Sequence, residues 1–136
     1  MITKIDGIPY MLDIATGNAT VTKNDVPYSG RVVIPSTVNA GGREYKVTDI
    51  LDEAFAGSAG LLAIEIGDGV ESIGISAFEG CIALVDVTFG AALHIVGMNA
   101  FKGCVALQSL VLPPSVLVIG RGAFAGCTAL EKAYLP

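Results

Sequence analysis

Three cysteines, Cys81, Cys104 and Cys127, stand 23 residues apart, and the columns around them keep the same interval. Ala54-Phe55, Ala77-Phe78, Ala100-Phe101 and Ala123-Phe124 align, followed by Gly57, Gly80, Gly103 and Gly126. Next come Ser58 and the three cysteines, then Leu61, Leu84, Leu107 and Leu130. A fixed period in the range of roughly 20 to 50 residues marks a solenoid, because one such repeat cannot bury its apolar columns alone. Each coil must stack on the coils above and below it.

Within one repeat, residues 61–66 (LLAIEI) have the form L-x-x-L-x-L and alternate with period two at their end, which predicts a short strand. The corresponding pairs are Ile64/Ile66, Val87/Phe89, Leu110/Leu112 and Ala133/Leu135. Stacked, such strands form a parallel sheet with rungs ~4.8 Å apart. A turn residue follows (Gly67, Gly90, Pro113 or Pro136), and then the apolar columns Val70/Leu93/Val116 and Ile73/Val96/Ile119, closed by Gly74, Gly97 and Gly120. These predict a second short extended piece. The Ala-Phe-x-Gly segment is too short for a full helix, so one turn of 3₁₀ or α is expected there. Its phenylalanines would form an inward ladder.

Composition agrees with a folded chain of this kind. Apolar residues make up 52% and charged residues 15%, which argues against disorder. The net charge is -5 and the basic residues are scattered singly, so a nucleic-acid partner is not expected. The most apolar stretch, residues 82–101, is interrupted by Asp86, His94 and Asn99, which excludes a membrane-inserting helix of ~20 residues. Asp6, Pro9 and Asp13 occupy the place of a signal peptide's apolar block, so the chain is read as cytosolic or as lacking its leader.

The columns together resemble the BspA-like subfamily of leucine-rich repeats, found in many bacterial surface and secreted proteins. Residues 32–136 carry the pattern A-F-x-G-C-x-x-L-x-x-(I/V/L)-x-(I/F/L)-(P/G)-x-x-(V/L)-x-x-(I/V)-G. The departures are Ser58 for the first cysteine, Gly67 and Gly90 for the usual proline, and the weak core residue Ala133. The expected fold is a right-handed leucine-rich repeat solenoid with a parallel β-sheet on one face and short 3₁₀ or α turns on the other. An irregular first coil spans 32–53, and repeats begin near 54, 77, 100 and 123. Residues 1–31 read as an N-terminal β cap: the runs 8–14 and 19–22 flank Ala15-Thr-Gly-Asn18, a hairpin signal. Such a ribbon would cover the open apolar end of the stack. The strand expected over 130–135 would then be a sheet edge, so the chain reads either as a piece of a longer array or as a protein that self-associates through that edge.

Chemistry-bearing residues do not converge. The cysteines, in one inward column ~5 Å apart, are too far apart for disulfides and read as small buried hydrophobes. His94 shares its column with Glu71 and Leu117, which gives no metal set and no catalytic triad. Phosphate-binding glycine motifs are absent, and Asn18-Ala-Thr20 is a weak glycosylation tripeptide. No catalytic residue, cofactor or metal is therefore expected, and the chain is read as a non-enzyme. What remains is the outward side of the L-x-x-L-x-L strands: Ala63 and Glu65, Asp86 and Thr88, Ser109 and Val111, Lys132 and Tyr134. A rigid row of adjacent side chains suits a protein partner, and Tyr134 has the character of an aromatic anchor. The resemblance implies adhesion to a host or matrix protein, at the cell surface or outside the cell. The rival expectation is a spacer with no ligand of its own.

Overall fold

The computed structural model describes residues 2–135; Met1 and Pro136, the latter expected in the turn column, lie outside them. The chain opens with an antiparallel meander of β1 (Ile2–Ile5), β2 (Ile8–Asp13) and β3 (Asn18–Val21). Asp6 and Gly7 join β1 to β2 with φ of 50° and 83°, the two left-handed residues that a tight twisted hairpin requires. The β2–β3 pairing matches the hairpin read from the sequence, while β1 is an addition to it.

The coil strands then form two parallel ladders. On the first side are β4 (Ser29–Ile34), β7 (Gly60–Ile66) and β9 (Asp86–Thr88), followed by β11 (Ser109–Val111) and β13 (Lys132–Tyr134). β4, β7 and β9 make a three-stranded sheet, and β11 pairs with β13 in a separate one. The second side has β6 (Arg43–Ile50), β8 (Ser72–Ile73), β10 (Ile95–Val96) and β12 (Val118–Ile119), with β5 (Thr37–Ala40) antiparallel on β6. β3 pairs in parallel with β6, so the meander extends this second sheet. Register places Ile50, Ile73, Val96 and Ile119 in one column, as the period requires.

The core lies between the ladders and the Ala-Phe turns. Phe55, Phe78 and Phe101 are fully buried and stack at centroid distances of 4.8 and 4.9 Å. Burying each ring contributes up to ~3 kcal/mol, alongside the Ile, Leu and Val columns that make up most of the core. Each turn has i→i−3 hydrogen bonds, such as Ala77 N to Gly74 O and Glu79 N to Ser76 O. The intervening amides point elsewhere: Phe78 N donates to Ala100 O and Gly80 N to Lys102 O, both in the next coil. That division keeps the turn from closing into a continuous 3₁₀ helix and adds a third inter-coil ladder.

Two other columns follow from close backbone approach. A Cβ on Gly97 would sit 2.7 Å from the carbonyl carbon of Gly74 one coil earlier, and one on Gly90 would be 2.6 Å from that of Gly67. The Gly74, Gly97 and Gly120 corner keeps glycine in every coil for this reason, whereas the Gly67 and Gly90 column changes to Pro113 in the following coil.

The cysteine column is also part of the frame. Cys81, Cys104 and Cys127 are free, and each thiol donates to a phenylalanine carbonyl of the preceding coil (Phe55, Phe78 and Phe101) at 3.2 Å. At the first turn the chemistry reverses: the buried Ser58 Oγ accepts from Tyr28 N at 3.3 Å. Tyr28 stacks on Phe55 at 4.1 Å and donates its hydroxyl to Thr22 O, so it closes the ring ladder at the capped end. Ser58 departs from the cysteine pattern because this position needs an acceptor, for which a hydroxyl oxygen is far better than a thiol.

Candidate functional site

The outward face of the first ladder is built by strand alternation. Leu61, Ile64 and Ile66 point inward and are buried, which leaves Glu65 outside. Register sets Arg31, Ala63 and Asp86 side by side, and next to them Val33, Glu65 and Thr88. β11 and β13 continue the same two rows with Ser109 opposite Lys132 and Val111 opposite Tyr134. All eight residues singled out in the sequence thus lie on these strands. Seven of them are exposed, with Val111 and Tyr134 each 60% accessible, and Ala63 is covered at 8%.

The covering of Ala63 gives the face its relief. A bulge sets Gly30 opposite Leu61 and Arg31 opposite Ala63, so Leu62 is the extra residue of β7 and its side chain is exposed. Ala63 becomes the floor of a depression of about 450 Å³ lined by Arg31, Leu62, Val85, Asp86 and Ser109. A smaller hollow of about 230 Å³ continues it along Arg31, Val33, Glu65 and Thr88. Both are shallow.

Charge alternates along the first row: Arg31 positive, Ala63 neutral, Asp86 negative, Ser109 neutral, Lys132 positive. With rungs ~4.8 Å apart, successive charges stand roughly 10 Å apart, too far for direct ion pairs. None of the three forms a salt bridge or side-chain hydrogen bond among the described residues, where the ion pair present joins Lys4 to Asp25 at 3.4 Å.

Arg31, Leu62 and Val85 are contributions that the sequence reading missed. Arg31 precedes the periodic region, in a first coil longer than the others, so no column pointed to it. Only the bulged β4–β7 register aligns it with Ala63. Leu62 and Val85 share a column that the x positions of the motif hide.

The remaining titratable groups do not gather into a site. His94 is exposed, and its amide donates to Glu71 O at 2.8 Å, which confirms the column it was assigned. The Cys104 thiol is pushed up by its contact with Cys81 and by burial, and burial likewise pushes up Cys127. Both thiols stay protonated, as their donor roles require. Among the described residues no three His, Cys, Asp or Glu side chains group as metal ligands would.

Comparison with known proteins agrees with this geometry. Residues 48–136 match the model of the BspA type leucine rich repeat region, in six copies. A leucine-rich repeat protein from Bacteroides capillosus is 30% identical, with 99% of this chain and 98% of that one covered and a TM-score of 0.89. A leucine rich cell surface protein from Faecalibacterium prausnitzii is 26% identical with a TM-score of 0.76; all of this chain aligns to 43% of that one. The leucine rich repeat protein of T. pallidum is 25% identical over 100% of this chain and 72% of its own, with a TM-score of 0.72. No curated protein sequence matches significantly. With its repeats, its two parallel ladders and its cysteine-bearing turns in the family register, this chain belongs to the BspA-type leucine-rich repeat family.

Proposed function

We propose that the chain is a non-catalytic protein-binding module of a bacterial surface or secreted protein, and that it binds through the outward face of the β4–β7–β9 and β11–β13 sheets. The observation that carries this reading is the row Arg31, Asp86 and Lys132, three charges held on a rigid frame with no side-chain partner among the described residues. Charges left unpaired and evenly spaced favour a macromolecular surface with the complementary order, since steering and register are what such groups supply. The exposed Val111 and Tyr134 add the apolar contact that interface energies draw on. Likeness to a cell surface protein of F. prausnitzii supports the location.

The test is binding of the purified chain to a panel of immobilised matrix proteins, including collagen, laminin and fibrinogen, read by surface plasmon resonance. The triple change Arg31→Ala, Asp86→Ala, Tyr134→Ala should weaken any retained interaction by at least ~10-fold while leaving the fold intact. Equal binding by the variant would move the site off this face, and no binding by either form would favour the spacer reading. A second reading, pairing of two copies of this chain through the edge of β13 opposite β11, draws on the exposure of Lys132, Ala133 and Tyr134. Light scattering checks it: a dimer that Ala133→Pro dissolves supports it, and a monomer at high concentration removes it.

A further inference from the structure

Between the β1–β2 hairpin and the first coil lies a pocket of about 360 Å³. Its apolar walls are Ile5 and Ile8 from the hairpin and Val33, Pro35 and Val38 from β4, β5 and their connection. Two polar residues, Tyr10 and Asp6, interrupt that lining. Tyr10 is 1% exposed, yet its hydroxyl makes no hydrogen bond among the described residues. No fully buried side-chain nitrogen or oxygen among those residues lacks a partner, so this hydroxyl keeps a trace of exposure, and Tyr10 lines the pocket. Tyr28 provides the contrast: equally a core residue, it spends its hydroxyl on Thr22 O at 2.9 Å.

Asp6 stands at the rim, exposed and without a hydrogen bond or ion pair among the described residues. The nearby Lys4 is already paired with Asp25. The charge of Asp6 reaches the phenol, since it joins burial in pushing the Tyr10 pKa up. Val33, in the pocket wall, lies in register with Glu65 on the outward face, so the pocket adjoins that face.

We infer that this pocket receives a basic side chain of a partner polypeptide. An aliphatic stem fits the walls of Ile8, Val33, Pro35 and Val38, with the cation set against the Asp6 carboxylate and donating to the Tyr10 hydroxyl oxygen. A purely apolar group would strip water from both polar groups and give nothing back, and an acidic group would face Asp6. Because Val33 belongs both to the pocket and to the outward rows, a chain segment crossing the sheet can place one side chain here. The source of the side chain rests on the protein-binding reading; the pocket's chemistry does not.

The experiment is an NMR titration of the full chain with three capped amino acids: Nα-acetyl-lysine methylamide, the arginine counterpart, and the norleucine counterpart, which has a similar stem and no cation. At least one basic probe should shift the amides of Ile8, Tyr10 and Val33 with a Kd of about 1–10 mM, and norleucine should bind at least ~10-fold more weakly. Asp6→Asn should weaken the basic probe about 10-fold and Tyr10→Phe about 3-fold. Asparagine tolerates the positive φ of this turn, so the first variant keeps the hairpin. Norleucine binding as tightly as lysine, shifts confined to other residues, or no shifts at about 50 mM of any probe would each overturn the assignment. Failure of the probes leaves the sheet-face reading standing, and failure of the matrix panel leaves the pocket standing, so the two are tested apart.

Discussion

Phe78 and Phe124 occupy one column and differ in what lies beside them. Phe78 is fully buried between the rings of Phe55 and Phe101, whereas Phe124 stacks, among the described residues, only on Phe101, 5.5 Å away, and is half-buried. Its neighbours follow suit: Leu107 and Cys104 are fully buried, Leu130 and Cys127 only partly, and Ile119 is 40% exposed where Val96 is sealed. The capped end behaves differently again. There Tyr28 supplies the next ring for Phe55 and Ser58 supplies the acceptor for Tyr28, so non-repeating residues complete the first coil. In a stack of this kind the column selects the residue, and the neighbouring coils set what it is worth.

The sharpest test replaces one ring at a time. Phe78→Ala removes a side chain with contacts on both sides and should cost about 3–5 kcal/mol in urea unfolding. Phe124→Ala, at a half-buried position, should cost about 1–2 kcal/mol. Equal losses would mean that the column rather than the neighbours determines stability, and the comparison would collapse.

Ser58 probes the capped end. Ser58→Ala leaves the buried Tyr28 amide without its acceptor and should cost about 1–3 kcal/mol. Ser58→Cys restores the residue of the other coils, and it should still destabilise, because sulfur is a weak acceptor. A neutral Ser58→Cys, measured by the same denaturation, would show that the repeat pattern extends into the cap after all.

Alkaline titration reads the same region. Burial and the charge of Asp6 push the Tyr10 pKa from the ordinary 10.0 up to about 12, and burial pushes Tyr28 up as well. The folded state therefore favours the neutral phenol. Its contribution to stability is fully present below pH 10 and is lost as pH rises from about 10 through about 12. Tyr10→Phe should flatten the fall in urea midpoint over that window. An unchanged slope would place the hydroxyl in ordinary solvent and weaken the case for the pocket.

These contrasts also mark what the residues disclosed by themselves. The Phe, Cys and Leu columns and both extended pieces were legible, because each fixed interval returns a residue to the same depth in the stack and register errors would expose a whole column. Arg31 was not, since its partner Ala63 depends on a bulge between strands whose spacing differs from the period. β1 was missed although Asp6-Gly7 is a strong two-residue turn signal, the one cue that could have found it. The pocket at Tyr10 lay beyond sequence reading altogether. It depends on β3 pairing with β6, which brings residues 18–21 against 46–50, and no local pattern encodes that pairing.

The smallest effect concerns a column with no repeated residue type. Glu53, Ser76, Asn99 and Gly122 open successive turns with φ of 61°, 55°, 57° and 70°, all in the left-handed region. Asparagine and glycine adopt this conformation readily, while glutamate bears the Cβ penalty. Glu53 is exposed and its side chain makes no hydrogen bond among the described residues, so Glu53→Gly removes strain without removing a contact. The relief exceeds the entropy that glycine adds to the unfolded chain, for a net gain of about 0.5–1 kcal/mol and a rise in Tm of ~2–4 °C. Ser76→Gly should gain less, since the Ser76 hydroxyl donates to Glu79 Oε1 at 2.9 Å. The order of the two matters more than either size. If Ser76→Gly stabilised more than Glu53→Gly, the interior coil would be the more strained one, and the idea that each turn's value is set by its neighbours would need a backbone component.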